Sequence, residues 1–413
     1  MALARFLQVS DLHLGRPFSW LPAARRDERR RDQQRALETA VAQAIERGVH
    51  AILIPGDLFD DVTVEAGLLT FALRAFEVNG CPPVFIAPGN HDPVSASNPA
   101  WDPRLLRARG ARWPSHVHVF DSPNWSAVTL PKPAGVRIWG RCFTASGESV
   151  ERPLTPEALR AVAGGDPVGF DLALFHGSRE GRCPPGQKIT APFSDEEVAA
   201  SPFVYLAVGH YHAASRLEAA HAEGTRSAGA RLAYAGSAIS LDLTETGSHG
   251  ALEVRIEFGH RLPFVEVEPI ELDRRRVLDL AVDVMGAASP DQLERRVLRA
   301  LDSAGATDQD MATVRLSGRL GAGVHWAGPG AAARARLFCL RVDASAVRSD
   351  YDLDAYRTAE PRTTEERFAR ELLARLDAET DPQTRATIEL ALRYGLDAFR
   401  LREVVPAPDE VTS

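Results

Sequence analysis

The chain has 413 residues, of which 45% are hydrophobic and 25% are charged, and its formal net charge at pH 7 is -8. This composition is typical of a globular protein with two or three domains and excludes a collagen, a coiled coil or a disordered chain. The sequence contains neither an apolar run near the roughly 20 residues of a membrane-spanning helix nor the pattern of a signal peptide. The four cysteines are scattered, which fits a reducing compartment, so we expect a cytoplasmic protein.

The first half of the sequence alternates between strand and helix signals. Buried strands are predicted at residues 5–9, 51–54 and 84–87, and helical periodicity separates them, with Gly48 and Asn79-Gly80 as stop signals. This order predicts a largely parallel sheet with helices on its faces. Further short apolar runs predict additional strands at residues 136–139, 172–175, 204–208, 233–240 and 251–258.

The pattern starts again after a predicted domain boundary near residue 270. Strands at residues 277–282, 314–316 and 337–342 and a helix beginning at Ser289-Pro290 predict a small α/β domain over residues 271–350. Residues 351–413 are predicted to be helical. The apolar faces of these helices either pack on the chain's own second half or dock on a partner protein.

Short polar motifs directly follow five of the predicted strands. They are Asp11-Leu12-His13, Gly56-Asp57, Gly89-Asn90-His91-Asp92, His176-Gly177 and Gly209-His210-Tyr211-His212. Because ligands of open α/β sheets bind beyond the carboxyl ends of the strands, we expect the five segments to meet in one crevice.

The side chains in these motifs suit divalent metal ions. Carboxylate, amide and imidazole groups bind such ions, and two ions about 3.5–4 Å apart can clamp a phosphate and hold a nucleophilic water. Asp57 is the natural bridge between two ions, because it follows a strand and stands on a turn with Gly56. The pattern therefore predicts metal-dependent cleavage of a phosphate ester.

The series of motifs resembles that of the calcineurin-like metallophosphoesterases, over about residues 1–270. The resemblance implies an α/β fold whose core has layered β-sheets flanked by helices, followed by a small α/β capping domain and C-terminal helices. It also implies two groups of metal ligands on either side of a bridging Asp57: Asp11, His13 and His212 for the first ion, and Asn90, His176 and His210 for the second. His91 would act on the substrate, and Asp92 would orient His91 by accepting its other ring proton.

Within this superfamily, residues 10–15, 56–60, 89–92 and 234–237 resemble the SbcD branch of bacterial DNA repair exonucleases, including its YhaO-like members. Ala235 stands where the branch usually has proline, and Asp60 stands where archaeal and eukaryotic relatives often have histidine. The resemblance implies a DNA exonuclease and endonuclease with two Mn²⁺ ions that works in double-strand break repair or end processing. It further implies a homodimer and an SMC-like ATPase partner of the SbcC type, which residues 351–413 would bind.

Arginines near the motifs are candidate contacts to DNA phosphates, whether in single or double strands or at their ends. One cluster follows the first motif and comprises Arg25, Arg26, Arg29, Arg30 and Arg31; another follows the third and comprises Arg104, Arg107, Arg109 and Arg112. Interleaved acidic residues leave open that the first cluster is a solvated helix face. Two other functions also stay open, namely a phosphatase or phosphodiesterase of small or cyclic-nucleotide substrates and a non-catalytic scaffold subunit that binds DNA ends.

Overall fold

Strands that end in polar motifs belong to the sheets of the first half of the chain. The structure is a computed structural model that describes residues 2–133, 135–163, 170–218, 229–258, 263–321, 324, 326 and 328–401. The chain divides into two units, Met1–Arg276 and Val277–Ser413. The predicted boundaries at residues 270 and 350 stay predictions, and residues 402–413 of the predicted helical tail lie outside the described residues. Among the described helices, none has both the length and the apolar character that a membrane crossing requires.

The first unit is built from two layers of strands with helices beside them. Its elements in chain order are β1 (Ala2–Gln8), α1 (Ala23–Glu46), β2 (Ala51–Ile54), α2 (Ala66–Phe76), β3 (Val84–Ile86), α3 (Pro103–Ala108), β4 (Val117–Val119), β5 (Ser126–Thr129), β6 (Val136–Gly140), α4 (Arg160–Ala163), β7 (Phe170–His176), α5 (Asp195–Ala200), β8 (Tyr205–Gly209), β9 (Ser215–Glu218), β10 (Ala230–Tyr234), β11 (Gly250–Phe258) and β12 (Phe264–Glu271). Within the described residues these strands form two six-stranded sheets, in the orders β12-β11-β1-β2-β3-β4 and β5-β6-β7-β8-β10-β9. The predicted α/β fold with layered sheets is therefore confirmed.

Parallel pairing is confined to part of each sheet. Strands β1 to β4 pair in parallel, as do β6, β7, β8 and β10. The remaining strands, β11, β12, β5 and β9, join them in antiparallel pairs. The parallel strands are the ones that carry the motifs, so their carboxyl ends lie at the same edge of each sheet.

Alternate residues of the two sheets form the apolar core between them. Phe6 of β1, Leu53 of β2 and Leu174 of β7 belong to this buried cluster, as the two-residue period of strand side chains requires. Each such side chain stabilises the fold by roughly 1.5–3 kcal/mol on leaving water.

A buried glutamine ties the two sheets together beside the first motif. The Gln8 amide donates to the carbonyls of Val208 (3.3 Å) and Ala233 (2.9 Å), and its side-chain oxygen accepts from the Tyr205 hydroxyl (2.6 Å). These bonds fix the end of β1 against β8 and β10, and hence the first motif against the fifth.

The prediction of a strand over residues 233–240 is wrong in its second half. Strand β10 ends at Tyr234, and Gly236 then adopts a φ of 80° that a regular strand does not allow. The Ser237 amide donates to the carbonyl of His212 (3.0 Å), and the Ser10 hydroxyl donates to the carbonyl of Gly236 (3.3 Å). The segment leaves the sheet in order to support the first and fifth motifs.

The second unit contains a small parallel sheet and a group of helices. Its elements are β13 (Val277–Asp283), α6 (Pro290–Ser303), β14 (Met311–Leu320), α7 (Ala331–Ala335), β15 (Cys339–Ser349), α8 (Leu353–Thr358), α9 (Thr364–Ala378) and α10 (Pro382–Leu401). The Ser289 hydroxyl caps α6 by accepting from the Gln292 amide, as its sequence predicts. Leu373 of α9 and Leu392 of α10 are buried in one cluster, so part of the apolar surface of these helices packs within the unit.

Candidate metal centre

The structure brings the five motifs together at the carboxyl ends of their strands. The Asp11 amide donates to the carbonyl of Gly56 (3.2 Å), and the His13 amide donates to the carbonyl of Asp57 (3.0 Å). The His210 amide in turn donates to the Asp11 carboxylate (3.1 Å). The first motif therefore lies between the second and the fifth.

The predicted ligands form adjoining clusters. Donor atoms of Asp11, His13 and His212 lie within 4.8 Å of one another, as do those of Asp11, Asp57 and His176. His176 Nε2 lies 2.9 Å from Asn90 Oδ1, and the rings of His176 and His210 have centroids 5.1 Å apart. All seven predicted ligands are thus neighbours.

Unusual backbone conformations are concentrated at these ligands. Six of the described residues other than glycine have positive φ, and four of them are predicted ligands: Asp11 (49°), His13 (46°), Asp57 (51°) and His210 (110°). This conformation costs roughly 1–3 kcal/mol for a residue with a Cβ and persists where the surrounding structure imposes it, commonly at functional sites. Here it accompanies side chains that converge on one point.

Glycines allow the motif backbones to approach one another. A Cβ atom on Gly89 would lie 2.2 Å from Asp57 Oδ1, and one on Gly209 would lie 2.0 Å from the carbonyl oxygen of Pro55. Neither contact is sterically possible without movement. The glycines of the third and fifth motifs are therefore needed for the close contact with the second motif.

Asp57 occupies the centre of the cluster. Its Oδ1 accepts from the His91 amide (3.0 Å), which fixes the carboxylate. Its Oδ2 lies 3.6 Å from His13 Nε2 and 3.4 Å from His176 Nε2. One oxygen thus faces an imidazole of each predicted ligand group, as expected of a carboxylate that bridges two cations.

Each of the four histidine ligands has one ring nitrogen held by an oxygen acceptor. The pairs are His13 Nδ1 with Asp60 Oδ1 (3.0 Å), His176 Nδ1 with the Pro55 carbonyl (3.0 Å), His210 Nε2 with the Lys188 carbonyl (2.7 Å) and His212 Nδ1 with Glu245 Oε1 (2.7 Å). Such a partner fixes the tautomer and ring orientation and leaves the other nitrogen to bind a metal.

Two ring nitrogens of the site have a lone pair that no donor among the described residues satisfies. His13 Nε2 is buried and has no hydrogen-bond partner among the described residues. When His176 donates from Nδ1 to Pro55, its Nε2 is an acceptor facing another acceptor, Asn90 Oδ1. Burial lowers the pKa of His13 and of His176, which favours the neutral rings that metal binding requires. The donor set therefore fits divalent cations.

The two buried carboxyls also fit a cationic site. Burial raises the pKa of Asp11, and the neighbouring charge of Asp57 raises it further. Burial opposes ionisation of Asp57 too, but the positive charges that His176 and His13 carry when protonated outweigh it and lower the pKa of this group. Bound cations would favour ionisation of both carboxyls.

Two residues that support the ligands were not assigned roles from the sequence. The Asp60 carboxylate accepts from His13 and from Arg16 (3.2 Å). Glu245, which is 33 residues from its partner His212, also accepts from the Leu241 amide (2.7 Å). Asp60 ends the segment 56–60 that resembles the SbcD branch and so has a signal in the sequence, whereas Glu245 lies in an irregular segment and has none.

The role predicted for Asp92 is wrong. Its carboxylate is buried and accepts from the amides of Gly89 (2.7 Å) and Phe59 (3.1 Å), which fastens the third motif to the second. His91 Nδ1 donates instead to the backbone carbonyl of Asp60 (3.0 Å). Asp92 turns inward while His91 is exposed, so the two side chains do not meet.

One of the predicted DNA contacts is also wrong. Arg29 is buried and donates to both carboxylate oxygens of Asp273 (2.9 and 2.6 Å) and to the Ser240 carbonyl (2.8 Å), so it does not reach a phosphate. The other predicted contacts keep exposed or partly exposed side chains: Arg25, Arg26, Arg30, Arg31, Arg104, Arg107, Arg109 and Arg112. Their contact with DNA stays a prediction.

A cavity of about 480 Å³ gives access to the centre. Its lining includes Asp57, Asn90, His210 and His212, together with the exposed His91. The His91 ring lies beside that of His13, with centroids 4.7 Å apart. A ligand in this cavity would contact His91 and the metal ligands at the same time.

The fold and the site define a metallophosphoesterase. A model of the calcineurin-like phosphoesterase family matches residues 4–213, and the chain belongs to this family. The family uses divalent metal ions to hydrolyse phosphoesters, in agreement with the donor set described above.

The individual proteins that match this chain share low sequence identity with it. The chain is 25% identical over 261 residues to the uncharacterized metallophosphoesterase YhaO of Bacillus subtilis (strain 168), a match that covers 62% of this chain and 58% of that relative's length. Among solved structures, TT1561 of Thermus thermophilus is 14% identical, covers 65% of this chain and 99% of its own, and has a TM-score of 0.34. A dimetal phosphatase from Danio rerio is also 14% identical, with coverages of 64% and 99% and a TM-score of 0.36.

Proposed function

We propose that the protein is a DNA exonuclease and endonuclease that hydrolyses phosphodiester bonds with two Mn²⁺ ions. The observation that supports hydrolysis is the convergence of the six other predicted ligands around Asp57 beneath a cavity that is also lined by His91. The choice of DNA and of manganese rests on the resemblance of the second motif and of residues 234–237 to the SbcD branch.

The ligand residues divide into two groups around Asp57. Asp11, His13 and His212 would hold one ion, and Asn90, His176 and His210 the other. When bound, two divalent ions polarise the phosphate and lower the pKa of a water nucleophile. Asp60 and Glu245 keep His13 and His212 in the tautomer that such binding requires.

His91 is the residue placed to assist the leaving group. Its Nδ1–H donates to the Asp60 carbonyl, and the exposed ring lines the cavity. A His91 imidazolium therefore has its Nε2–H free to donate to the ribose oxygen as the P–O bond breaks. A general acid of this kind contributes typically 10²–10⁴-fold to the rate.

The test uses the purified protein with Mn²⁺, a labelled linear duplex, a labelled single strand and bis(p-nitrophenyl) phosphate. We expect cleavage of DNA, and a loss of roughly 10²–10⁴-fold in kcat for His91→Gln, with an unchanged Mn²⁺ content. Turnover of the small diester alone would reject the nuclease function in favour of a small-substrate phosphodiesterase. Retention of DNA ends without any cleavage would instead identify a scaffold subunit.

We further propose that the protein acts in the cytoplasm as a homodimer with an SMC-like ATPase of the SbcC type, in double-strand break repair or end processing. The proposal follows from the family resemblance and assigns the ATPase contact to residues 351–413. Sedimentation of the protein alone and with the purified ATPase, before and after removal of these residues, tests both contacts. A complex that survives the truncation would reject this assignment of the docking segment.

A further inference from the structure

A second cavity, of about 320 Å³, lies beside the cavity of the metal centre. The two share Ser146 and Glu148 in their linings, and the second also reaches the metal ligand His176. A ligand whose reacting phosphate occupies the first cavity can therefore extend into the second. The loop of residues 144–151 forms much of the second cavity's lining.

A buried arginine lines this second cavity. The Arg141 side chain is only 10% exposed, and its guanidinium lies 2.9 Å from the carboxylate of Glu151, whose side chain is 59% exposed. Both residues belong to the cavity lining. Burial holds the cation in place, whereas the carboxylate is on the solvent side and can move aside. An incoming anion of similar shape can replace it, since guanidinium binds carboxylate and phosphate by the same fork of N–H donors.

An aromatic ring, that of Phe143, lies two residues after this arginine in the sequence and lines the same cavity. Phe143 is half-buried, lines the second cavity and contacts His176 edge to face, with ring centroids 5.8 Å apart. Stacking of a base on an aromatic ring contributes about 1–3 kcal/mol and tolerates any base. A fixed guanidinium and an aromatic surface together recognise a phosphate joined to a nucleoside.

We propose that the second cavity is the subsite for the nucleotide next to the scissile phosphodiester. Arg141 binds the phosphate of that nucleotide by displacing Glu151, and Phe143 contacts its base. This subsite rests on the proposed function, because it requires a polynucleotide substrate. It assigns Arg141 to substrate binding, outside the metal ligands.

The test compares two substrates of the Mn²⁺-loaded protein. A short single-stranded oligonucleotide reaches the subsite, whereas bis(p-nitrophenyl) phosphate has a single phosphate and no neighbouring nucleotide. In Arg141→Gln we expect kcat/KM for the oligonucleotide to fall about 10- to 100-fold, mainly through KM, as loss of a charge-assisted contact implies. We expect less than about a two-fold change for the small diester. Glu151→Gln should lower KM for the oligonucleotide, because it removes the competing carboxylate.

Arg137→Gln is the matched control. Arg137 lies on β6, four residues before Arg141, and forms a salt bridge with Asp171 (2.6 Å). Neither residue lines either of the two cavities. We expect it to leave the ratio of the two activities unchanged. Equal losses on both substrates in Arg141→Gln, or an oligonucleotide KM that neither variant changes, would overturn the subsite. Failure of the wild-type protein to cut any oligonucleotide would instead overturn the proposed function as well.

Discussion

Replacing Asp60 by alanine should weaken cation binding although Asp60 is not among the predicted ligands. The carboxylate holds His13 Nδ1 at 3.0 Å and is only 17% exposed. Without it, the His13 ring is free to rotate and to carry its proton on Nε2, the atom that would bind the cation. Partners of this kind typically contribute 10- to 100-fold to metal affinity, which corresponds to about 1.4–2.7 kcal/mol. Asp60→Asn keeps an oxygen acceptor and should lie between alanine and the wild type.

Glu245 provides an independent version of the same test. Its carboxylate holds His212 at 2.7 Å, so Glu245→Ala should reduce the affinity by a similar factor. Asp61 is the matched control, because it is an exposed carboxylate that lines the same cavity and holds the Thr63 amide. Asp61→Ala removes the same charge without touching a histidine ring and should change the affinity by less than about two-fold.

The assay is calorimetric titration of metal-stripped protein with Mn²⁺, accompanied by thermal unfolding to show that each variant is folded. If the carboxylates act by orienting the histidine rings, the affinity falls strongly in Asp60→Ala and Glu245→Ala and only slightly in Asp61→Ala. Wild-type affinity in both of the first two variants would refute it. An equal loss in Asp61→Ala would show that the overall negative charge of the cavity, rather than ring orientation, controls binding.

Three further outcomes follow from the same structure. Arg29→Ala should lower the free energy of unfolding in urea by roughly 3–5 kcal/mol, because it removes the buried cation that pairs with the buried Asp273 carboxylate. Burial alone would raise the pKa of Asp273, but bonds from Arg29 outweigh it and lower the pKa. This stabilisation is therefore present above about pH 4 and is lost as the pH falls through the depressed pKa, and Asp273→Asn should flatten that part of the stability profile. Gly89→Ala places a Cβ 2.2 Å from Asp57 Oδ1 and should abolish Mn²⁺ binding in calorimetry, whereas Gly67→Ala in α2 meets nothing within 4 Å and should add up to about 1 kcal/mol of stability.

The convergence of the motifs could be predicted because two local signals combine with one geometric rule. Apolar runs mark the strands, and polar residues mark where they end. Parallel strands place those ends at one edge of a sheet, and the packing of the two sheets then brings Asp11, after β1, against His210, after β8, although 199 residues separate them. The division of the strands into two sheets could not be predicted in this way, because residues 172–175 of one sheet and 51–54 of the other are equally apolar. Their assignment depends on which faces pack together in the folded chain.

The spacing of Arg29 in the sequence indicates that it is buried, but the other arginines of residues 25–31 make this pattern hard to recognise. Five arginines lie among residues 25–31, and such a run is typical of a solvated helix face. Arg29 is seven residues before Ala36 and eleven before Ala40, however, and this spacing places it on the buried stripe of α1. Helical periodicity can therefore indicate that Arg29 is buried. It cannot identify the carboxylate that neutralises the charge, because Asp273 is 244 residues away in the sequence.

The orientation of His91 shows why supporting contacts are harder to predict than ligands. Asp92 is adjacent in sequence and carries a suitable carboxylate, but that group turns back to the Gly89 amide three residues earlier, a local bond that aspartate commonly forms. The acceptor for His91 is instead a backbone carbonyl, that of Asp60, and every residue has one. The turn of residues 57–60 consequently supplies the central carboxylate of Asp57, the support of His13 and the support of His91. A backbone change within this turn should therefore impair metal binding and proton donation together, whereas a change at His91 itself impairs only the second.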